Sequence, residues 1–300
     1  MAQNRSSIDE SSIQLETVRC GLCGNDDPSL LLKAANIKQR CKREYNVVRC
    51  GKCGLAFLSP RPSRESLLKY YLEDDPEKTE RKPAFYEKLY FNIFRKIPLR
   101  RKGSLLDVGC GSGRYIYVLK ALGWDVKGID IGYTGYGRDV LGLDIREGDL
   151  VDAHFKPESF DAITFWWTLE HMYDPSSVLK EAYRLLKKGG VAVIGVQNID
   201  SLEARLFKRY WFHLFLPKHL YHFSPKSLTA ILKKSEFGKV KIRHDLFSFG
   251  TIGSLQCFLN AHGINVSFTN PLFYALSLPI DAVLGMMKNS GLITAYAYKE

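Results

Sequence analysis

Two CxxC pairs, CGLC from Cys20 and CGKC from Cys50, are the residues with the plainest chemistry. Thiolates two residues apart in a glycine-bearing turn can face one ion, and two such turns complete a tetrahedral shell. The 26 residues between Cys23 and Cys50 leave room for a hairpin. Cys20, Cys23, Cys50 and Cys53 are therefore expected to hold a structural Zn2+ in a ribbon. Gly24 and Gly54 follow the two knuckles, where the backbone must bend tightly around sulfur. Cys41 has no CxxC partner and is expected to pack as a small hydrophobe.

The run LLDVGCGSGRY, residues 105–115, carries a second chemistry. Asp107 ends an apolar stretch, and Gly109, Gly111 and Gly113 lead into a helical pattern. Glycines at alternate positions remove side chains where a backbone touches a ligand, and a helix N-terminus favours negative charge. A nicotinamide site prefers G-x-G-x-x-G, whereas the third glycine here falls one residue early. Asp130 closes the next apolar run, where an acid would accept hydrogen bonds from two ribose hydroxyls. Asp149, in GDL, is placed to meet an adenine amino group.

A third set is acid–base in character. Glu170 and His171 directly follow FDAITFWWTL, at the open end of a strand, where a histidine near its ordinary pKa can accept a proton. The same pair could instead orient a loop, line the cofactor pocket or hold a divalent metal, although two ligands alone make a weak metal site. The stretch HLYHFSP places His219 and His222 three residues apart just before a helix start. With four thiolates already present, these histidines are expected as a wall of an acceptor pocket, as structural hydrogen-bonding groups or as catalytic groups, rather than as zinc ligands.

These residues need elements to position them. From Gly103 onward, strand patterns (SLLDVG, WDVKGID, FDAITFWW, GVAVIGV) alternate with helical ones (RYIYVLKALG, PSSVLKEAYRLL), which predicts a parallel, doubly wound sheet. KVKIRHDLF and LITAYAYK read as the last two strands. Trp166 and Trp167 should point to opposite faces of their strand. Ser224 and Pro225 predict a capped helix start. Residues 1–17 read as a disordered tail, 18–57 as the ribbon, 58–102 as a helical linker, and 103–300 as the main α/β domain with an apolar insertion or lid at 248–288.

The formal charge of +11 admits anionic partners without selecting one. Seven basic residues against one acid, Glu44, lie between Lys33 and Lys52, consistent with a solvated face or an anion-binding surface. MAQNRSSIDESS has no apolar core, so no secretory signal is predicted, and Pro279 and Asp281 interrupt the most apolar stretch. A cytoplasmic setting is expected.

Together with CGLAFLSPRPS, LEHMYDP, LLKKGG, NIDSLEARLF and KHLYHFSP, the cofactor motifs make nearly the whole chain from Cys20 onward resemble one family. That family is the class I S-adenosylmethionine-dependent methyltransferases, in the branch with an N-terminal zinc ribbon. The resemblance implies a Rossmann-like methyltransferase sheet. It assigns the methionine end of the cofactor to the Asp107–Gly113 loop, the ribose to Asp130 and the adenine to the region of Asp149. The leading expectation is methyl transfer to a small-molecule acceptor, such as a sugar or a lipid-linked or anionic intermediate, and the apolar composition of the insertion reads as a lid, a peripheral membrane contact or a subunit contact. Two alternatives stand beside it: an RNA base methyltransferase docking through the basic ribbon, and an inactive methyltransferase fold used as a binding module.

Overall fold

The computed structural model describes residues 13–35, 43–72, 82–84, 87, 91, 95, 97–99, 101–132, 134–267 and 271–300. Cys41 and the basic residues Lys38, Arg40 and Lys42 lie outside them.

Seven strands form the main sheet: β6 (Ser104–Val108), β7 (Asp125–Asp130), β8 (Asp144–Glu147), β9 (Phe160–Trp166), β10 (Leu186–Gln197), β12 (Lys239–His244) and β13 (Leu292–Tyr298). Their spatial order is β12-β13-β10-β9-β6-β7-β8. Neighbours from β8 through β10 are parallel, and β13 runs antiparallel to both β10 and β12. This is the doubly wound sheet that the alternating pattern predicts, with one reversed strand near its edge.

Side chains on β6 divide by the two-residue strand period. Leu105 packs under α2 (Arg114–Ala121) with Ile116 and Leu119, whereas Leu106 and Val108 enter the larger core on the opposite face. There they meet α3 (Pro175–Leu185) and α5 (Pro225–Lys234). Both helices start as their sequences dictate. Asp174 accepts the Ser177 amide at 3.1 Å, Ser224 and Ser227 cap reciprocally, and a proline occupies the first turn of each. In place of a regular helix after Asp130, the glycine-rich GYTGYG leads into a short π-helical turn, Tyr136–Val140.

The cysteine module is built from β2 (Pro28–Ala35), β3 (Glu44–Cys50) and β4 (Ala56–Leu58). Its fourth strand comes from far along the chain: β11 (Tyr221–His222) pairs antiparallel with β4. Val47, Leu55, Phe57 and Leu58 belong to the same core cluster as Ile163, Phe165 and Ile194 of the main sheet. The ribbon therefore shares one hydrophobic interior with the α/β sheet.

Residues 13–17, within the segment expected as a tail, are structured. Ile13 is buried, and β1 (Leu15–Glu16) pairs with β5 (Arg61–Pro62), just ahead of α1 (Arg64–Leu72). The apolar insertion is helical, forming α6 (Gly250–Ala261) and α7 (Pro271–Met286), with α4 (Leu202–Phe207) beside α6. Among the described residues, no helix is long and apolar enough to cross a membrane.

Tyr221 is the main apolar anchor of the shared strand. Its ring stacks with Phe223, and its hydroxyl reaches the Tyr173 carbonyl at 3.3 Å. Gly21, in the first knuckle, leaves room for that hydroxyl, since an added Cβ would stand 2.6 Å from it. Tyr221→Ala should cost about 3 kcal/mol of stability, as large aromatic truncations in cores do. In urea denaturation the loss should appear as a lower midpoint of a single transition, whereas a separate early ribbon transition would contradict a shared core.

Candidate functional site

The cysteine knuckles are near-copies of each other. The Gly24 amide donates to the Cys20 carbonyl at 2.8 Å and the Gly54 amide to the Cys50 carbonyl at 2.9 Å, with both glycines at positive φ. Across the knuckles, the Sγ atoms of Cys20 and Cys53 lie 3.4 Å apart, and those of Cys23 and Cys50 lie 3.5 Å apart. Sulfurs at the corners of a tetrahedron around zinc would stand at about 3.8 Å, given Zn–S bonds near 2.3 Å. All four converge as the spacing predicts.

The glycine loop joins β6 to α2. Gly109, Gly111 and Gly113 all have positive φ, a backbone that other residues rarely adopt. At Gly109 a Cβ would collide with Thr168 at 2.3 Å, while at Gly111 it would meet nothing within 4 Å. Asp130 holds this loop open: one carboxylate oxygen accepts the Gly111 amide at 2.8 Å and the other the Gly132 amide at 3.0 Å. Burial raises its pKa, against the pull of those amides.

Asp107 is placed differently. It is buried, accepts the Thr164 hydroxyl at 2.5 Å from the neighbouring strand, and is pushed by burial up to about 7. Its place is at the base of the loop, bracing β6 to β9. Asp149 accepts the Val151 amide at 3.1 Å and pairs with Arg64 of α1 at 3.1 Å.

Glu170 and His171 lie in a tight turn after β9, and His219 lies in the segment leading to β11. Candidate ligand atoms of Glu170, His171 and His219 fall within 4.8 Å of one another. His171 and His219 meet edge to face with ring centroids 4.7 Å apart. Glu170 has no solvent exposure, and burial pushes its carboxyl up to about 8.

His222 does not fit a pocket wall. It is fully buried, pairs through its backbone with Ala56 of the ribbon, and has no hydrogen-bond partner on either ring nitrogen among the described residues. Burial depresses its pKa to about 3. The two-residue strand period accounts for this: a residue on β11 must point into one of the two packed layers it joins.

A cleft lies at the C-terminal ends of β9, β10 and β12, where open α/β sheets bind ligands. Arg95, Trp166, Trp167, Arg243, Asp245 and Phe247 line it. The strand ends at Trp166, and Trp167 takes φ 55°. Both indoles consequently flank the Arg95 guanidinium, at 4.8 and 4.2 Å from their centroids, in place of the opposite faces that strict alternation predicts. Arg95 begins the basic run RKIPLRRK, and no spacing signal distinguishes it from its neighbours. Its position appears only once the chain folds it over the tryptophans. Tyr115, in the first turn after the glycine loop, donates its hydroxyl to the Arg95 carbonyl at 3.1 Å, so cleft and loop share a wall.

With this geometry in place, comparison with known proteins is decisive at the family level. A methyltransferase-domain family matches residues 80–242. The chain belongs to this methyltransferase family. Over 103 residues it is 37% identical to a ubiquinone biosynthesis O-methyltransferase of Pseudomonas entomophila, a match covering 32% of this chain and 44% of that enzyme's length. An uncharacterised protein of Methanocaldococcus jannaschii is 26% identical over 184 residues, covering 59% of this chain and 83% of that protein. Among solved structures, a SAM-dependent methyltransferase from Thermotoga maritima is 21% identical with a TM-score of 0.49, over 71% of this chain and 89% of that one.

In this methyltransferase fold, His222 makes a specific contribution to pH dependence. Its folded pKa lies below the ordinary value of 6.5, so between about 3 and 6.5 the unfolded chain binds a proton that the folded chain refuses. This contribution leaves stability intact above 6.5 and removes about 1.4 kcal/mol per pH unit on acidification below it. Glu170 tilts the other way, holding its proton up to about 8 in the fold, so the effect is read as a difference between variants. Relative to wild type, His222→Phe should gain about 2 kcal/mol on going from pH 6.5 to 5 in urea denaturation. A constant difference across that range would show that the ring is not held neutral.

Proposed function

We propose that the chain transfers a methyl group from S-adenosylmethionine to a small acceptor, with a structural zinc ion on the four cysteines. The observation that carries this reading is the juxtaposition of the glycine loop, open at Gly111, with the tryptophan–arginine cleft at one end of the sheet.

The residues present fit an adenosyl cofactor. Gly111 leaves open space above a helix N-terminus, and the Asp130 carboxylate stands at the end of β7, where it can exchange loop amides for ribose hydroxyls. Bound there, the sulfonium would supply an already activated methyl group. The protein's own task is then to align the acceptor, exclude water and remove a proton where the acceptor carries one.

Trp166, Trp167 and Phe247 give the cleft flat apolar walls, and Arg95 and Arg243 give it positive charge. This suits a ring-bearing acceptor with an anionic substituent. Transfer to oxygen agrees with the O-methyltransferase similarity. Thr168 touches the glycine loop, and Glu170 lies two residues beyond it, so the turn that carries Glu170 and His171 is proposed to lie beside the acceptor's reacting group. An RNA acceptor has less support. Of the ribbon's basic residues, Arg49 pairs with Asp200 at 2.8 Å and Arg43 donates to the Ile13 carbonyl.

Calorimetry with S-adenosylmethionine tests the core of this reading. Asp130→Ala removes a charged hydrogen-bond acceptor and should weaken binding at least tenfold, about 1.4 kcal/mol. No binding to the wild-type protein, or equal binding to the variant, would refute it. For the ribbon, protein purified without added metal should carry at least one equivalent of zinc, and Cys53→Ser should lose it and melt lower. Less than about half an equivalent in the wild type would discard the four-cysteine ion.

A further inference from the structure

We propose that Glu170, His171 and His219 form a second metal site, separate from the cysteines, that takes a first-row divalent ion of the Zn2+ or Fe2+ type. Their ligand atoms lie within 4.8 Å of one another, although the residues come from two segments about fifty positions apart in the chain. Backbone bonds fix that meeting: the Leu220 amide donates to the Glu170 carbonyl at 2.9 Å, beside the pairing of β11 with the ribbon.

Both rings are held as metal-bound histidines are held. Nδ1 of His171 lies 2.9 Å from the Lys218 carbonyl, and Nδ1 of His219 lies 2.9 Å from the His213 carbonyl. A carbonyl oxygen can only accept, so each Nδ1 carries the proton and the lone pair resides on Nε2. An imidazole tied to a backbone carbonyl through its other nitrogen is the usual outer support of a metal ligand.

Glu170 supplies the independent sign. Its side chain is fully buried, and neither carboxylate oxygen has a hydrogen-bond partner among the described residues. Burying an uncompensated carboxylate costs several kcal/mol, and protonation alone leaves a hydroxyl donor equally unmatched. A cation shared with two imidazoles resolves both problems. Two nitrogens and one carboxylate oxygen match zinc or ferrous iron, whereas magnesium and calcium prefer oxygen ligands throughout.

Three protein ligands leave at least one coordination position for an outside oxygen. Resting on the methyltransferase reading above, that position is assigned to the acceptor's oxygen, which the ion would orient and make more acidic. The metal site itself does not depend on that reading.

The test is metal stoichiometry on full-length protein, dialysed against Zn2+ and, anaerobically, against Fe2+. Wild type should bind one equivalent beyond that held by the cysteines. Glu170→Gln and His219→Ala should each lose that equivalent, and His222→Phe, which removes none of the three proposed ligands, should keep it. Substitution with Co2+ reads the ribbon separately through its sulfur-to-metal charge-transfer absorption, which the two ligand variants should retain. A wild type that binds neither ion beyond the cysteine equivalent overturns the proposal, even where a variant fails to fold. Variants that still bind the second equivalent overturn it as well. Absence of S-adenosylmethionine binding would refute the methyltransferase reading and leave this count unchanged.

Discussion

The short strand Tyr221–His222 and the residues flanking it are the constraint on which the two halves of the molecule depend. On one side it pairs with Ala56–Phe57, and the Leu58 amide donates to the Leu220 carbonyl at 2.9 Å. On the other, Gln197 donates to the Tyr221 carbonyl at 3.0 Å, and the Ile199 amide donates to that of Phe223 at 2.8 Å. One strip of backbone thus closes the ribbon sheet and locks it to the end of β10. A ribbon of this size buries little by itself. Joined through β11, it contributes Val47, Leu55 and Phe57 to a core that also serves the main sheet.

That arrangement explains why HLYHFSP carries two histidines with unlike fates. His219 precedes the strand and stays with the turn after β9, where its ring meets His171. His222 lies on the strand and is forced between layers, where it is kept uncharged. Spacing in the sequence could suggest that both rings face one pocket. Whether they do depends on a pairing with residues more than 160 positions earlier, which no local pattern encodes.

Features governed by local physics were legible in the residues. The glycine loop, the parallel strands, the Ser224–Pro225 helix start and the converging cysteines all follow from near-neighbour spacing. Those fixed by distant contacts were not. Arg95 was one cation in a basic run, Trp167 turned back from strand alternation, and Leu15–Glu16 was ordered by pairing with Arg61–Pro62, beyond the ribbon. Asp107 reads as a ligand-facing acid by motif, but its buried bond to Thr164 makes it a brace. The apolar insertion is a related case. Its apolar composition gave no hint that Ser248 and Thr251 bond Glu203 at 2.7 and 3.1 Å, or that Thr251 also bonds Asp281 at 2.9 Å. This polar knot fixes how α6 leaves the sheet.

The same contiguity links the cysteines to the candidate catalytic turn. Gly21, in the first knuckle, makes room for the Tyr221 hydroxyl, and Tyr221 sits one residue from Leu220, whose amide holds the Glu170 carbonyl. Opening of the knuckles would free β4, and with it the strand that keeps Glu170 and His219 together. A carboxyl group buried with no hydrogen-bond partner among the described residues, as Glu170 is, persists only where its surroundings over-determine its position. The ribbon supplies that determination for Glu170 from one side and β10 from the other. On this view the small cysteine module is a clamp on the end of the central strands where the chemistry is proposed, and its position in the fold follows from the need to hold a costly polar group still.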